Sequence, residues 1–456
     1  MPVLLKRSSL NASLTAPYLS FLKGIHLIRR LWRNINAKNW VKEREGVFYY
    51  KTEDKTPLTL EKQSTTLWML LIMMAAYVSP MYAMPGENKL QACVNNACPN
   101  VPMGIKEIAQ MKAAELIDTF YQRRAKNDGF NGTVMIAKDG IPLYSAAFGY
   151  GNYAIKDTLT LQSPIQLASV AKTFTSTAVL MMVEQGYFSL DDTLQKFFPE
   201  FPYRGITVGM LLSHRSGLPD YIYWDRYFVG TDVTYLSNQK VVELFCTKKP
   251  AVRCSPDRMF IYCNSNYALL ASIVETVSGK SFRSYMHDNI FGPLGMNNTY
   301  VYSCDDSVCS TISYESKYWR EWKNGMYDGV VGDKGIYSSA EDMLKWDNAL
   351  RGGLLISDDM TAEAYKPRSL DRYSFAKERE KNYGYGWRMT KQADKTYTIY
   401  HNGFWHGSNN VFARDLDDGY TVIVLGNKSN NNNYWTGPVW DILNQLKSFD
   451  NLAEVQ

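Results

Sequence analysis

Strand-like segments stand at both ends of one long stretch of this chain, and helical segments fill the middle. Residues 133–137 alternate as a strand does, Lys138-Asp139-Gly140 supplies a turn, and residues 141–148 continue as a partner strand. Two further hairpins come late: residues 387–390 with 396–401, and 410–414 with 420–425, the latter turning through Leu416-Asp417-Asp418-Gly419. Between these ends, residues 170–185 read as a strongly apolar helix stopped by Gly186. Residues 187–330 read as helical segments and long loops rich in Tyr and Trp. Residues 105–124 read as an amphipathic helix carrying Ile105, Ile108, Leu116 and Phe120, and residues 439–446 as a closing helix. Strands that meet only when both ends of a domain come together make an antiparallel sheet. The expectation is therefore an α+β fold, with that sheet flanked by helices beside a mostly helical subdomain at roughly 160–330.

The basic character of the 456-residue chain is local. Residues 1–83 hold twelve Lys+Arg against five Asp+Glu, and the remainder holds 38 against 40. A body without net positive charge argues against nucleic acid as a partner. Within the basic segment, LWMLLIMMAAYV (67–78) is an uncharged apolar run preceded by Lys51, Lys55 and Lys62 and followed by Ala83. Its length suits a secretory signal and is short for a spanning helix, while Met81 fits a cut after Ala83 poorly. Residues 1–84 are thus read as a targeting or membrane-anchor region, 85–103 as a linker and 104–450 as the functional domain. Export to the periplasm, free or anchored through 67–84, is the expectation. A mitochondrial address is the alternative, because residues 1–42 contain no acid. Three close cysteine pairs, Cys93/Cys98, Cys246/Cys254 and Cys304/Cys309, are positioned to close as disulfides in an exported protein, which would leave Cys263. With five His, no His-x-His and no His-Glu-x-x-His, neither a metal nor another cofactor is expected.

Ser-x-x-Lys occurs at Ser20, Ser169, Ser237 and Ser374, but only Ser169 directly precedes a long apolar helix. One reading makes Ser169 a helix cap with Lys172 in solvent. The other uses the spacing: three residues apart on a helix, the two side chains share a face. A first-turn lysine meets the positive end of the helix dipole and loses water, and both disfavour an ammonium and favour an amine that can take the serine's proton. Tyr262-Cys263-Asn264 offers a second proton carrier and an amide that can hold substrate, although Asn264 or Ser265 can also simply cap the following helix. His401-Asn402-Gly403 ends a late strand, and its Asn-Gly also suits a hairpin turn. Two aromatic loops, PDYIYWDRYF and YESKYWREWKNGMY, are equally suited to lining a cleft or to pinning themselves on the surface.

A serine, then Tyr-x-Asn, then Lys or His-x-Gly on a late strand, in that order, resembles the class C β-lactamase, D,D-peptidase and esterase group of serine hydrolases. The resemblance runs from about Asn131 to Asn427 and includes NGTVMIAKDG, LLSHRSGLPDY, FGPLGMNNT, GDKGIYSSAEDM and GYTVIVLGN. It implies Ser169 as the acylated nucleophile, Lys172 and Tyr262 as proton carriers, and Asn264, His401 and Gly403 as substrate contacts. It also implies an oxyanion hole from the N–H groups of Ser169 and Phe404. One departure stands out: His401 occupies a place where β-lactamases usually carry lysine. A histidine is mostly neutral at pH 7, which turns the expectation from β-lactams toward an ester or a peptide, peptidoglycan-derived material included. A non-catalytic protein on the same fold is the competing reading. The lack of any Gly-x-Ser-x-Gly counts against the usual Ser-His-Asp elbow.

Overall fold

The computed structural model describes residues 40–42, 48–50 and 105–453, except 229–233, 305–310, 316–318, 370–380 and 392–396. The chain divides at residues 101/102. In the first unit, Trp40–Lys42 pairs antiparallel with Phe48–Tyr50. The apolar run 67–84, the linker, Cys93/Cys98 and Cys309 lie outside the described residues. Among the described residues, no helix is long and apolar enough to cross a membrane.

In the second unit, seven strands form one antiparallel sheet: β1 Gly132–Lys138, β2 Ile141–Phe148, β3 Lys381–Tyr383, β4 Arg388–Lys391, β5 Tyr397–Trp405, β6 Ser408–Asp415 and β7 Tyr420–Gly426. Their order is β3-β4-β5-β6-β7-β1-β2, so the first strand completes a sheet begun by the last ones. The β1–β2 turn takes positive φ at Asp139 (50°) and Gly140 (77°), as a tight hairpin requires. β7 and β1 are buried on both faces, and their side chains serve two cores in alternation. Val422 opposite Ile136 and Val424 opposite Val134 belong to one core. Ile423 opposite Met135, with Leu425, belongs to the other.

The first core is closed by α1 Ile105–Asn127 and α5 Gly437–Ala453. The inward face of α1 carries Ala113, Ile117, Tyr121 and Arg124 rather than the set expected from spacing, for Ile108 is exposed and Leu116 and Phe120 are half-buried. Tyr121 and Phe130 draw the helix onto β2 through Phe148, and that aromatic cluster sets the rotation of the helix. The second core holds α2 Ala171–Glu184, α3 Asn264–Ser278 and α4 Ala340–Arg351. Every position of α2 from Ala171 to Met182 is buried. Phe174 stacks on Trp346 at 4.1 Å, and the hydroxyls of Thr175 and Ser176 donate to the carbonyls of Gly332 and Tyr385 at 2.7 Å each. A helix buried all round with its polar groups satisfied cannot shift without breaking the core.

Two expectations are corrected. The strand carrying His401 does not end there. β5 runs to Trp405 and turns at His406 (φ 52°), so His401-Asn402-Gly403 is a mid-strand segment paired with Phe412, Val411 and Asn410. Cys246 and Cys254 are separate thiols. Cys246 belongs to the helix Asn238–Lys248, and Cys254 is packed over Gly217 in another loop.

Gly403 fixes the approach of the sheet to the start of α2. A Cβ at this position would lie 2.1 Å from the Leu167 carbonyl oxygen, an impossible contact with backbone. Gly403→Ala is expected to destabilise the protein by about 1–3 kcal/mol, the cost of overpacking, and to slow any reaction at Ser169 as the strand and loop separate. Urea unfolding followed in parallel with active-site labelling checks both.

Candidate active site

The path into the site is strained and tightly tied. Ile165–Gln166 pairs with Ile336–Ser338, the Leu167 N–H donates to the Ile336 carbonyl at 2.8 Å, and Asn410 Nδ2 donates to the Gln166 carbonyl at 2.8 Å. Ala168 then takes φ +50°, a left-handed conformation that costs a non-glycine residue energy and persists only where its surroundings impose it. The turn Ala168–Val170 follows and carries Ser169, half-buried, into α2. Neither this turn nor α2 has a side-chain N-cap, so Ser169 is not spent as one.

Lys172 is fully buried. Its Nζ lies 3.0 Å from Ser169 Oγ, 2.9 Å from Asn264 Oδ1 and 2.8 Å from the Asp333 carbonyl oxygen. The lysine therefore points inward along the Ser169 face, not to solvent. Tyr262 lies beside it, with Nζ 5.1 Å from the ring centre. Asn264 is the first residue of α3, and neither Asn264 nor Ser265 caps that helix. Asp220 does so from another loop: its Oδ2 accepts from the Asn264 N–H and from Asn264 Nδ2, both at 3.0 Å. Burial raises the Asp220 carboxyl above the usual range, opposed by the Asn264 N–H and reinforced by Asp333.

A cavity of about 610 Å³ opens over these groups. Ser169, Tyr262, Asn264 and Phe404 line it, and β4 begins at Arg388 opposite Tyr400, so among the described residues β5 has no partner strand on that edge beyond Tyr400. His401 and Gly403 do not line it. The His401 ring is fully buried, 6.3 Å from the Tyr262 ring: its Nδ1–H donates to the Asn402 carbonyl at 2.7 Å and its Nε2 accepts from the Tyr383 hydroxyl at 3.1 Å. Burial, followed by the neighbouring Arg388 and Lys172, holds its pKa well below the usual histidine value. His214, whose ring lies 4.3 Å from that of Tyr262, is lowered in the same way by burial, then by Lys172 and His401.

Spacing did not single out several groups that face the cavity: Asp220, Asp333, Lys334, Arg388, Asn402 and Trp405. Asp220 falls inside both LLSHRSGLPDY and PDYIYWDRYF, and the Asp333–Lys334 pair inside GDKGIYSSAEDM, which were the signals for them. Arg388 had none, being one arginine at a strand start. Its guanidinium lies 5.1 Å from the Tyr262 ring centre. Lys334 is buried 4.8 Å from the Trp405 ring centre and donates to the Tyr221 hydroxyl; burial lowers its pKa, opposed by Asp333 and Asp328. Of the two aromatic loops, the first lines the cavity with Ile222 and Tyr223. The second packs elsewhere, Trp319 on Tyr153 at 4.3 Å and Trp322 on His406 at 5.5 Å. Among the described residues no group of acids, histidines and cysteines is arranged to hold a metal.

The Beta-lactamase family model matches residues 117–445. The chain belongs to that family. It is 30% identical over 334 residues to penicillin-binding protein 4* of Bacillus subtilis, covering 70% of this chain and 72% of the relative. It is 26% identical over 225 residues to a D-aminopeptidase of Brucella anthropi, covering 48% of this chain and 42% of the relative. The structure superposes on a D-amino acid amidase from Ochrobactrum anthropi with a TM-score of 0.59 and 21% identity, over 76% of this chain and 100% of that one, a likeness of fold. The α+β architecture of this family member, antiparallel sheet with flanking helices, is the β-lactamase/transpeptidase fold.

The two buried histidines have a consequence for stability. Their folded-state pKa values lie below the unfolded value of about 6.5, so the unfolded chain binds more protons as pH falls. Their contribution is complete above about pH 6.5 and declines as pH drops toward the folded values. The urea midpoint is expected to fall between pH 7.5 and pH 5, and less steeply in His401→Gln. An equal slope in that variant would remove His401 from the acid response.

Proposed function

We propose that the protein is a serine hydrolase that forms an acyl-enzyme on Ser169 and cleaves an ester or amide bond. The observation that carries this reading is the environment of Lys172 Nζ. Two of its three neighbours, Asn264 Oδ1 and the Asp333 carbonyl, are pure acceptors. An amine at Nζ spends both N–H bonds on them, which leaves its lone pair for the third neighbour, the Ser169 hydroxyl.

In the proposed cycle, Ser169 Oγ attacks the substrate carbonyl carbon as its proton passes to Lys172 Nζ. The oxyanion is met by the N–H groups of Ser169 and Phe404. Tyr262 gives its proton to the leaving alcohol or amine as the C–O or C–N bond breaks, and recovers one through Lys172. Water then attacks the acyl carbon, its proton returns through the same groups, and Ser169 leaves with its hydroxyl restored. Asn264 and Asn402 hold the substrate, while His401 and Gly403 act through β5.

The substrate class follows from charge. His401 is withdrawn and neutral, but Arg388 supplies a permanent cation to the cavity wall beside Tyr262, the leaving-group side. A leaving group with a carboxylate, such as the C-terminal residue of a peptide, matches that wall. Export remains part of the proposal, supported by the apolar run at 67–78 and the likeness to a penicillin-binding protein.

Intact mass after exposure to a fluorophosphonate is expected to show one adduct on the wild type and none on Ser169→Ala. Absence of an adduct on folded wild type would favour a non-catalytic role. Lys172→Ala is expected to slow labelling by roughly 10²–10⁴-fold, the scale of general base catalysis. Arg388→Ala is expected to raise KM for esters with a carboxylate on the leaving group and to leave neutral esters unaffected. Equal effects on both would refute the carboxylate role.

A further inference from the structure

Asn264 faces Lys172 with its oxygen, yet nothing in an asparagine fixes which end of the amide points where. The choice matters to the chemistry, and this inference rests on the acyl-enzyme reading. With Oδ1 toward Nζ, the lysine must donate, and its lone pair is left for Ser169. With Nδ2 toward Nζ, the amide would donate to that same lone pair and draw it away from the serine.

We infer that Asp220 is the positioning residue that selects the productive orientation. Its Oδ2 accepts from the Asn264 backbone N–H and from Nδ2, each at 3.0 Å. A carboxylate has no proton to give, so it pairs with the amide's nitrogen end and repels its oxygen end. The backbone contact locks the carboxylate first, because the N–H at the start of α3 has no partner within the helix. Asp220 is 7% exposed and is itself anchored in its loop. Tyr221 N–H donates to Ser265 Oγ at 2.9 Å, and Ser265 Oγ donates to the Pro219 carbonyl at 2.8 Å. The residues on either side of Asp220 are thus stapled to α3, and the carboxylate cannot swing away. Lys172 receives its other acceptor from the carbonyl of Asp333, whose side chain accepts from the Tyr221 hydroxyl at 2.9 Å. One loop, 219–221, therefore sets both acceptors that aim the lysine at the serine.

The role predicts coupling. Asp220 acts through Asn264, so its removal costs activity only while Asn264 is present. The test is a double-mutant cycle on the full chain: wild type, Asp220→Ala, Asn264→Ala and the double variant, read as the second-order rate of fluorophosphonate labelling at Ser169. Asp220→Ala is expected to lose about ten- to a hundredfold, the scale of one charge-assisted hydrogen bond, and to lose nothing further in the Asn264→Ala background. Asp220→Asn keeps the shape and the acceptor for the α3 N–H, so it guards against a folding defect. It is expected to lose less than the alanine variant, and again only when Asn264 is present. A wild-type rate in Asp220→Ala, or the same fold-loss in both backgrounds for either variant, overturns the inference. Wild type that does not label at all overturns the acyl-enzyme reading and this inference together, whereas labelled wild type with uncoupled variants overturns the inference alone.

Discussion

A lysine taken wholly out of water is the constraint on which this site is built. Burying a cation or an unpaired amine costs several kcal/mol unless its hydrogen bonds are replaced, and Lys172 replaces all of them within the protein. Each replacement comes from a different part of the chain: the turn before α2, the start of α3, and the segment leading to Ile336–Ser338. Those parts are held by the core on one face of the sheet, where α2 is buried on every side. The fold and the site are in this sense one requirement. Displacing any one of the three segments would leave a polar group stranded beside a buried nitrogen, which is more costly than the loss of a surface contact.

The sequence disclosed the parts of this arrangement that have a period or a pattern. Apolar, β-branched segments marked β1 and β7, whose two faces enter two different cores, and the apolar run marked α2 because no side of it meets water. Ser169, Lys172, Tyr262 and Asn264 were findable because short motifs carry them in a fixed order. Asp220 and Asp333 lay inside quoted stretches without being singled out, and Arg388 had no signal, because their contacts run across loops or strands distant in sequence and no local spacing records them. The rotation of α1 escaped for a related reason: Ile108 and Ile117 are equally apolar in the sequence, and only the aromatic cluster around Tyr121 decides which faces inward. The end of β5 was missed because Asn402-Gly403 has turn chemistry, while the packing of Gly403 on Leu167 demands a glycine in an extended strand.

The histidine in place of lysine shows how far a substitution can be read without its surroundings. At 401, the fully buried ring lies 6.3 Å from that of Tyr262 without lining the cavity, and a protonated ring there would face Arg388 and Lys172. A neutral imidazole that accepts from Tyr383 and donates to the Asn402 carbonyl is the species such a place tolerates. It steadies the strand that presents Asn402 and Phe404 to the cavity. A cation does line the cavity on the neighbouring strand, Arg388, where β4 begins opposite Tyr400. What a substrate carboxylate feels is distance and dielectric, and neither is written along the chain, so a cation on a neighbouring strand can act where a motif residue does not.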